Sequence, residues 1–245
     1  MRVPASEAEI HRARLLELVP EGLEELEDGT WVELAVYGDA DRGFRLRALY
    51  EAVVTTVVGD GWEERWRAFH RPVRAGGLWI GPPWEAPPAG EPVVVVDPGR
   101  AFGTGAHPTT RLCVELLARA ERGAVLDAGC GSGVLAVAAA VLGFGPVVAV
   151  DVDPEALAAA RETARRNAVE IEVVRRDVLH DPLPRADLVI ANIELRVVEA
   201  VLARRPAERA ITSGYLAHES PGVRGWEVLE RVELEGWAAD LLRRA

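Results

Sequence analysis

The rhythm of hydrophobic and polar positions changes once along the chain. In the first part, residues 31–37, 44–50 and 53–58 have an extended pattern, and 62–69 has helical spacing. Ser6, with Glu9 three positions on, has the spacing of a capping box and predicts a helix through residue 19. From residue 93 onward, short fully apolar runs at 93–96, 124–127, 147–151, 171–174, 188–192 and 210–213 alternate with helical stretches. The helices are expected at 108–120, after the loop at 129–133, at 154–167 and at 195–205, and two strands close the chain at 226–232 and 237–242. Apolar strands divided by helices predict a mainly parallel sheet covered on both faces. The fold class is therefore α/β, a doubly wound Rossmann-like domain preceded by a smaller α+β domain.

Between the two patterns, residues 81–92 read GPPWEAPPAGEP, with five prolines in twelve residues. That composition sustains neither a helix nor a central strand and predicts a linker. The expected organisation is a small domain over 1–80, a linker over 81–92 and the larger domain over 93–245. Five of the seven tryptophans (31, 62, 66, 79 and 84) precede or lie within the linker, as core of the small domain or as a docking surface. HESPGVRG, residues 218–225, is too short and proline-broken to hold a helix between the last strands.

Composition narrows the function classes. The formal charge is −11, which opposes a phosphate-gripping nucleic-acid binder and favours a basic partner. All 28 basic residues are arginine, so a P-loop lysine and Schiff-base chemistry are excluded. Cys113 and Cys130 form no C-x-x-C pair and lack histidines at ligand spacing, which predicts neither a disulfide nor a metal site and suits a reducing compartment. The uncharged stretch 128–150 has the length of a membrane span, but five glycines and Pro146 break it into strand, loop, helix and strand. Neither a membrane span nor an export signal is expected, and the chain is expected to act as a monomer in the cytoplasm.

The sharpest motif is VLDAGCGSGVLAVAAA, residues 125–140, a strand followed by a G-x-G-x-G turn and a helix. Gly129, Gly131 and Gly133 let a ligand approach the backbone at the strand's carboxyl end. A dinucleotide fingerprint would need glycine or alanine at position 134, where Val134 stands. The spacing thus disfavours NAD and suits a nucleoside ligand without pyrophosphate, such as S-adenosylmethionine. Asp151, 22 residues after Gly129 at the tip of an apolar run, can accept hydrogen bonds from both ribose hydroxyls. Asp153 instead precedes Pro154 and reads as a helix N-cap. Asp177, after the next strand, is either the acceptor of an adenine amino group or a surface loop aspartate.

A second block, DPGRAFGTGAHPTTRL over 97–112, suits a loop closing over a ligand. Pro108 with Thr109 or Thr110 starts a helix whose free N–H groups either face that ligand or are merely capped. Together with VLDAGCGSGVLA, VVAVDVDPEAL and VIANIEL, this block resembles the bacterial ribosomal-protein methyltransferases of the PrmA type, continuously over about 93–215. The tryptophans and GWEERWRAFHRPV are similar to that family's substrate-recognition domain.

The resemblance implies a class I methyltransferase that uses S-adenosylmethionine to trimethylate amino groups, both lysine side chains and an α-amine, of a basic ribosomal protein. It implies that Thr110, Gly129, Asp151 and Asn192 contact the donor, and that Phe102, Thr104 and His107 belong to the loop over the methyl group. Asn192 ends the strand DLVIAN, where its side chain can orient an amine lone pair. Its continuation, Ile193-Glu194-Leu195, lacks the aromatic that stacks on a flipped base. His107 either accepts the amine's proton or shapes the loop. Rival readings are a methyltransferase for another protein lysine or a small amine, an NAD-dependent oxidoreductase, and a donor-binding module without catalysis.

Overall fold

In the computed structural model, residues 70–98 and 105–245 are described continuously, together with 2–4, 7, 8, 11, 15, 24–28, 30–36 and 46. The expected elements at 53–58 and 62–69, all of the expected strand at 44–50 except Leu46, and most of the helix from Ser6 lie outside these residues, as do Phe102 and Thr104; Leu46 is helical, not extended as its pattern predicts. The chain divides into two compact units, Met1–Glu64 and Arg65–Ala245.

In the first unit, β1 (Arg2–Pro4), β2 (Glu24–Asp28) and β3 (Trp31–Ala35) form an antiparallel sheet in the order β1-β3-β2. Val3, Val32 and Leu34 pack there with Ala8, Leu15 and Leu46. The extended pattern from Trp31 is thus a strand.

The second unit opens with a small sheet. An antiparallel pair, β4 (Val73–Ala75) and β5 (Leu78–Gly81), is joined in parallel by β6 (Val93–Val95). Its turn glycine Gly76 donates to Glu115 Oε1 at 2.7 Å. The proline-rich stretch is the crossover between β5 and β6, fastened by Trp79 N–H to the Pro92 carbonyl at 3.0 Å. The division between compact units therefore falls earlier in the chain than this stretch. The valine run is a strand, as its pattern predicts, but it does not join the main sheet. The side chain of Asn167 occupies the edge of β6: Oδ1 accepts from Val95 N–H and Nδ2 donates to the Val95 carbonyl, each at 2.7 Å.

The main sheet has seven strands: β7 (Val125–Ala128), β8 (Val147–Asp151), β9 (Glu172–Arg175), β10 (Leu188–Asn192), β11 (Arg209–Leu216), β12 (Trp226–Leu234) and β13 (Trp237–Arg244). Their order is β12-β13-β11-β10-β7-β8-β9. Pairs from β9 to β11 are parallel, and β13, inserted between β11 and β12, runs antiparallel to both.

Among the described residues, four helices accompany the sheet: α1 (Pro108–Arg119), α2 (Val134–Val141), α3 (Pro154–Arg166) and α4 (Leu195–Ala203). Helices α1 to α3 build the larger core cluster on one face. On the other, Val198, Val201 and Leu202 of α4 pack with Val223 and Trp226. Residues 218–225 hold no helix, as Pro221 and the two glycines predict. Trp226, whose indole N–H donates to the Leu202 carbonyl at 3.0 Å, packs against the face there.

Arg122 sits where two helices end. Its guanidinium donates to the carbonyls of Leu117, Ala118 and Ala120 at the end of α1 and to Leu142 at the end of α2, and lies 4.7 Å from the Phe144 ring centroid. Among the described residues, no helix is long and apolar enough to cross a membrane.

Candidate active site

Strand order reverses between β7 and β10: β8 and β9 extend to one side of β7, and β10 and β11 to the other. The loops leaving neighbouring strands at such a point diverge and open a crevice at their carboxyl ends. The glycine turn leaves β7 there, and Asn192 ends β10 beside it.

The turn is held by backbone and one side chain. Gly129 and Cys130 donate to the Val150 carbonyl at 2.9 and 3.0 Å, and Gly131 N–H donates to Asp151 Oδ2 at 3.0 Å. Asp151 Oδ1 accepts from Asp153 N–H at 3.0 Å. A carboxylate offers about four acceptor positions, so capacity for two ribose hydroxyls remains. Asp153 caps α3 through Glu155 N–H at 2.9 Å, as its place before Pro154 predicts.

The glycines do more than admit a ligand. Gly133 has φ +76°, and a Cβ there would lie 2.8 Å from Cα of Ala160, so its bareness lets α2 start against α3. A Cβ on Gly129 would meet Ile193 Cγ2 at 2.7 Å.

Asp127, without an assigned role in the sequence, is buried beneath the turn and accepts from Ala136 N–H at 3.0 Å. Burial pushes its carboxyl up to about 7, with the nearby charge of Asp151 adding to the rise. The Asp151 carboxylate beside the turn suits a cationic sulfonium far better than a pyrophosphate. The site therefore fits S-adenosylmethionine.

Across the crevice, Thr110 is buried in the first turn of α1, and Asn192 Nδ2 approaches its hydroxyl at 3.5 Å. His107 is the α1 N-cap: Nδ1 accepts from Thr109 N–H at 3.3 Å and pairs with Thr109 Oγ1 at 2.8 Å. The signal for that cap was Pro108, which marks the preceding residue. The His107 ring meets Trp237 edge-on at 5.0 Å, and burial lowers its pKa. Trp237 and Glu235, which pairs with Arg111 at 3.4 Å, come from the distant β12–β13 hairpin, a contact no local pattern foretells. Asp177 lies in the turn after β9, next to Arg176, whose N–H donates to the Asp151 carbonyl at 2.9 Å. Its Oδ1 accepts from Leu179 N–H at 2.8 Å, and its Oδ2 meets His180 Nδ1 at 2.8 Å, which lowers its pKa.

A seven-stranded sheet with one reversed strand, and a glycine turn tied to a strand-end aspartate at the switch point, define a class I S-adenosylmethionine-dependent methyltransferase. The family model described as ribosomal protein L11 methyltransferase (PrmA) matches residues 35–244, and the chain belongs to this family. Ribosomal protein L11 methyltransferase of Symbiobacterium thermophilum is 40% identical, with 83% of this chain and 72% of that protein aligned. Its counterpart in Pelotomaculum thermopropionicum is 44% identical, over 75% of this chain and 66% of the relative. The crystal structure of ribosomal protein L11 methylase from Lactobacillus delbrueckii subsp. bulgaricus superposes with a TM-score of 0.65 at 27% identity, covering 71% of this chain and 99% of that one. The fold and family expectations are thereby met.

Proposed function

We propose that this chain transfers methyl groups from S-adenosylmethionine to amino groups of ribosomal protein L11, lysine side chains and/or the α-amine. The observation that carries the reading is the pairing of an Asp151-braced glycine turn with Asn192 and Thr110 across one crevice. Bound there, the donor supplies an electrophilic methyl on a cationic sulfur.

Asp151, Gly129, Gly131 and Thr110 hold the donor, and the Thr110 hydroxyl also lies 3.5 Å from Asn192 Nδ2. Because Asn192 Nδ2 is directed at Thr110, its Oδ1 accepts from the incoming amine and turns the nitrogen lone pair toward the methyl. The amine must arrive neutral, and catalysis is chiefly positioning. The Nδ1 lone pair of His107 is engaged at the α1 N-terminus, which supports loop shaping over proton acceptance. The family resemblance assigns Phe102 and Thr104 to recognition of the methyl group, and the adenine amino group is assigned to Asp177.

The amino-terminal domain recognises the substrate. A chain of charge −11 suits a basic protein partner rather than nucleic acid, and the enzyme acts as a cytoplasmic monomer.

The test is incubation with purified ribosomal protein L11 and S-adenosylmethionine, followed by intact-mass and fragment analysis. Mass gains of one or more methyl groups, located on amino nitrogens, are expected. No gain on this protein, with methylation of a small amine or another protein instead, would replace the substrate.

A further inference from the structure

The turn after β10 is gripped from two sides by bare backbone. Gly214 lies in the bulge of β11 between Ser213 and Tyr215, with φ +97°, and a Cβ there would stand 2.1 Å from the Ile193 carbonyl oxygen and 2.9 Å from its nitrogen. No side chain fits, so β11 and the Ile193 backbone are in direct contact. On the opposite side, the Ile193 side chain lies against Gly129: Cγ2 and Cδ1 are 2.7 and 3.6 Å from the position a Cβ would take.

Neither support is loose. Ser213 Oγ donates to the Ala238 carbonyl at 2.7 Å, and Tyr215 OH donates to the buried Asp240 at 2.8 Å. Gly129 is fastened to β8 through the Val150 carbonyl. Ile193 itself is only partly buried against the core. It is therefore a spacer between donor loop and β11, immediately next to the asparagine that receives the amine.

We propose that Ile193 is a positioning residue that sets the separation between the methyl donor and the acceptor nitrogen. This rests on the methyltransferase reading above. A β-branched side chain is stiff at χ1, so the spacer holds its thickness. Attack distance is steep in its effect on rate, and a displacement of about 1 Å can cost on the order of a hundredfold. Shortening the side chain should thus impair turnover without dismantling the donor seat.

The test compares wild type with I193V, I193A and I193L. Readouts are kcat and KM for ribosomal protein L11, S-adenosylhomocysteine affinity by calorimetry, and the thermal unfolding midpoint. We expect kcat to fall about tenfold or more in I193A and about two- to threefold in I193V, with KM and product affinity changed less than about twofold. I193L, equal in volume but branched elsewhere, should also lose kcat, and it serves with I193V if the alanine variant fails to fold. Unchanged kcat throughout, or product affinity falling in step with kcat, would overturn the proposal. Wild type that neither binds S-adenosylhomocysteine nor methylates any amine would instead sink the underlying reading.

Discussion

Asp151 accepts a hydrogen bond from Gly131 N–H at 3.0 Å, so the carboxylate at the tip of β8 is also a brace for the turn after β7. Ligand seat and loop anchor are one group. Replacing Asp151 by alanine should remove the ribose acceptor and release the turn together, lowering S-adenosylhomocysteine affinity by about tenfold or more, a loss of about 1.4 kcal/mol at least. Asn at this position keeps one acceptor and should lose less. Calorimetric titration of both variants checks the ranking, and equal affinity in all three proteins would rule out the seat.

Asn192 and Thr110 should separate turnover from binding. Asn192→Ala removes the proposed acceptor for the amine, and kcat should fall on the order of a hundredfold, about 2.7 kcal/mol in the barrier. Thr110→Val removes the hydroxyl beside Asn192 and the donor, and at saturating donor should cost on the order of threefold to tenfold. Single-turnover methylation of ribosomal protein L11 at saturating donor measures both.

Gly133→Ala tests packing rather than chemistry. The new Cβ would press on Ala160 while the backbone kept a left-handed conformation, with φ +76°. The strain from that conformation is about 1–2 kcal/mol, and the contact adds to it. Urea unfolding should show a loss of about 2–4 kcal/mol with an unchanged slope.

Asp127 predicts a pH dependence. Its folded pKa is raised to about 7, so its contribution to stability is fully present below the ordinary carboxyl pKa and is lost as pH rises toward 7. Asn cannot ionise yet still accepts from Ala136 N–H. The stability of wild type relative to Asp127→Asn should therefore fall between about pH 4 and pH 7, by no more than about 4 kcal/mol, and level off above. Denaturant midpoints for both proteins across that range decide the matter, and parallel curves would contradict it.

The sequence was most transparent where one residue's local chemistry sufficed. Strands such as Val147–Asp151 and Leu188–Asn192 are apolar runs in the covered sheet, and Asp153-Pro154 announces a helix start without help from elsewhere. Legibility ended where contacts span the chain. Val93–Val95 has the pattern of any buried strand, yet it pairs with Leu78–Gly81 in the small sheet, and the Asn167 amide bonds to Val95. Ile193 gains its role from glycines 64 residues before it and 21 after, and Trp237 reaches His107 from 130 residues away. Asp177 reads from the sequence as either an adenine acceptor or a loop aspartate, and its bonds to Leu179 and His180 tie it into the turn after β9 without deciding between the two.

Arg122 stands at the end of the domain remote from the crevice, yet it grips the tails of the two helices whose heads carry Thr110 and Gly133. One guanidinium thus ties two helix ends together. Removing it would leave the last carbonyls of both helices without that partner at once, so a substitution that touches no reactant would loosen two helices that line the ligand crevice.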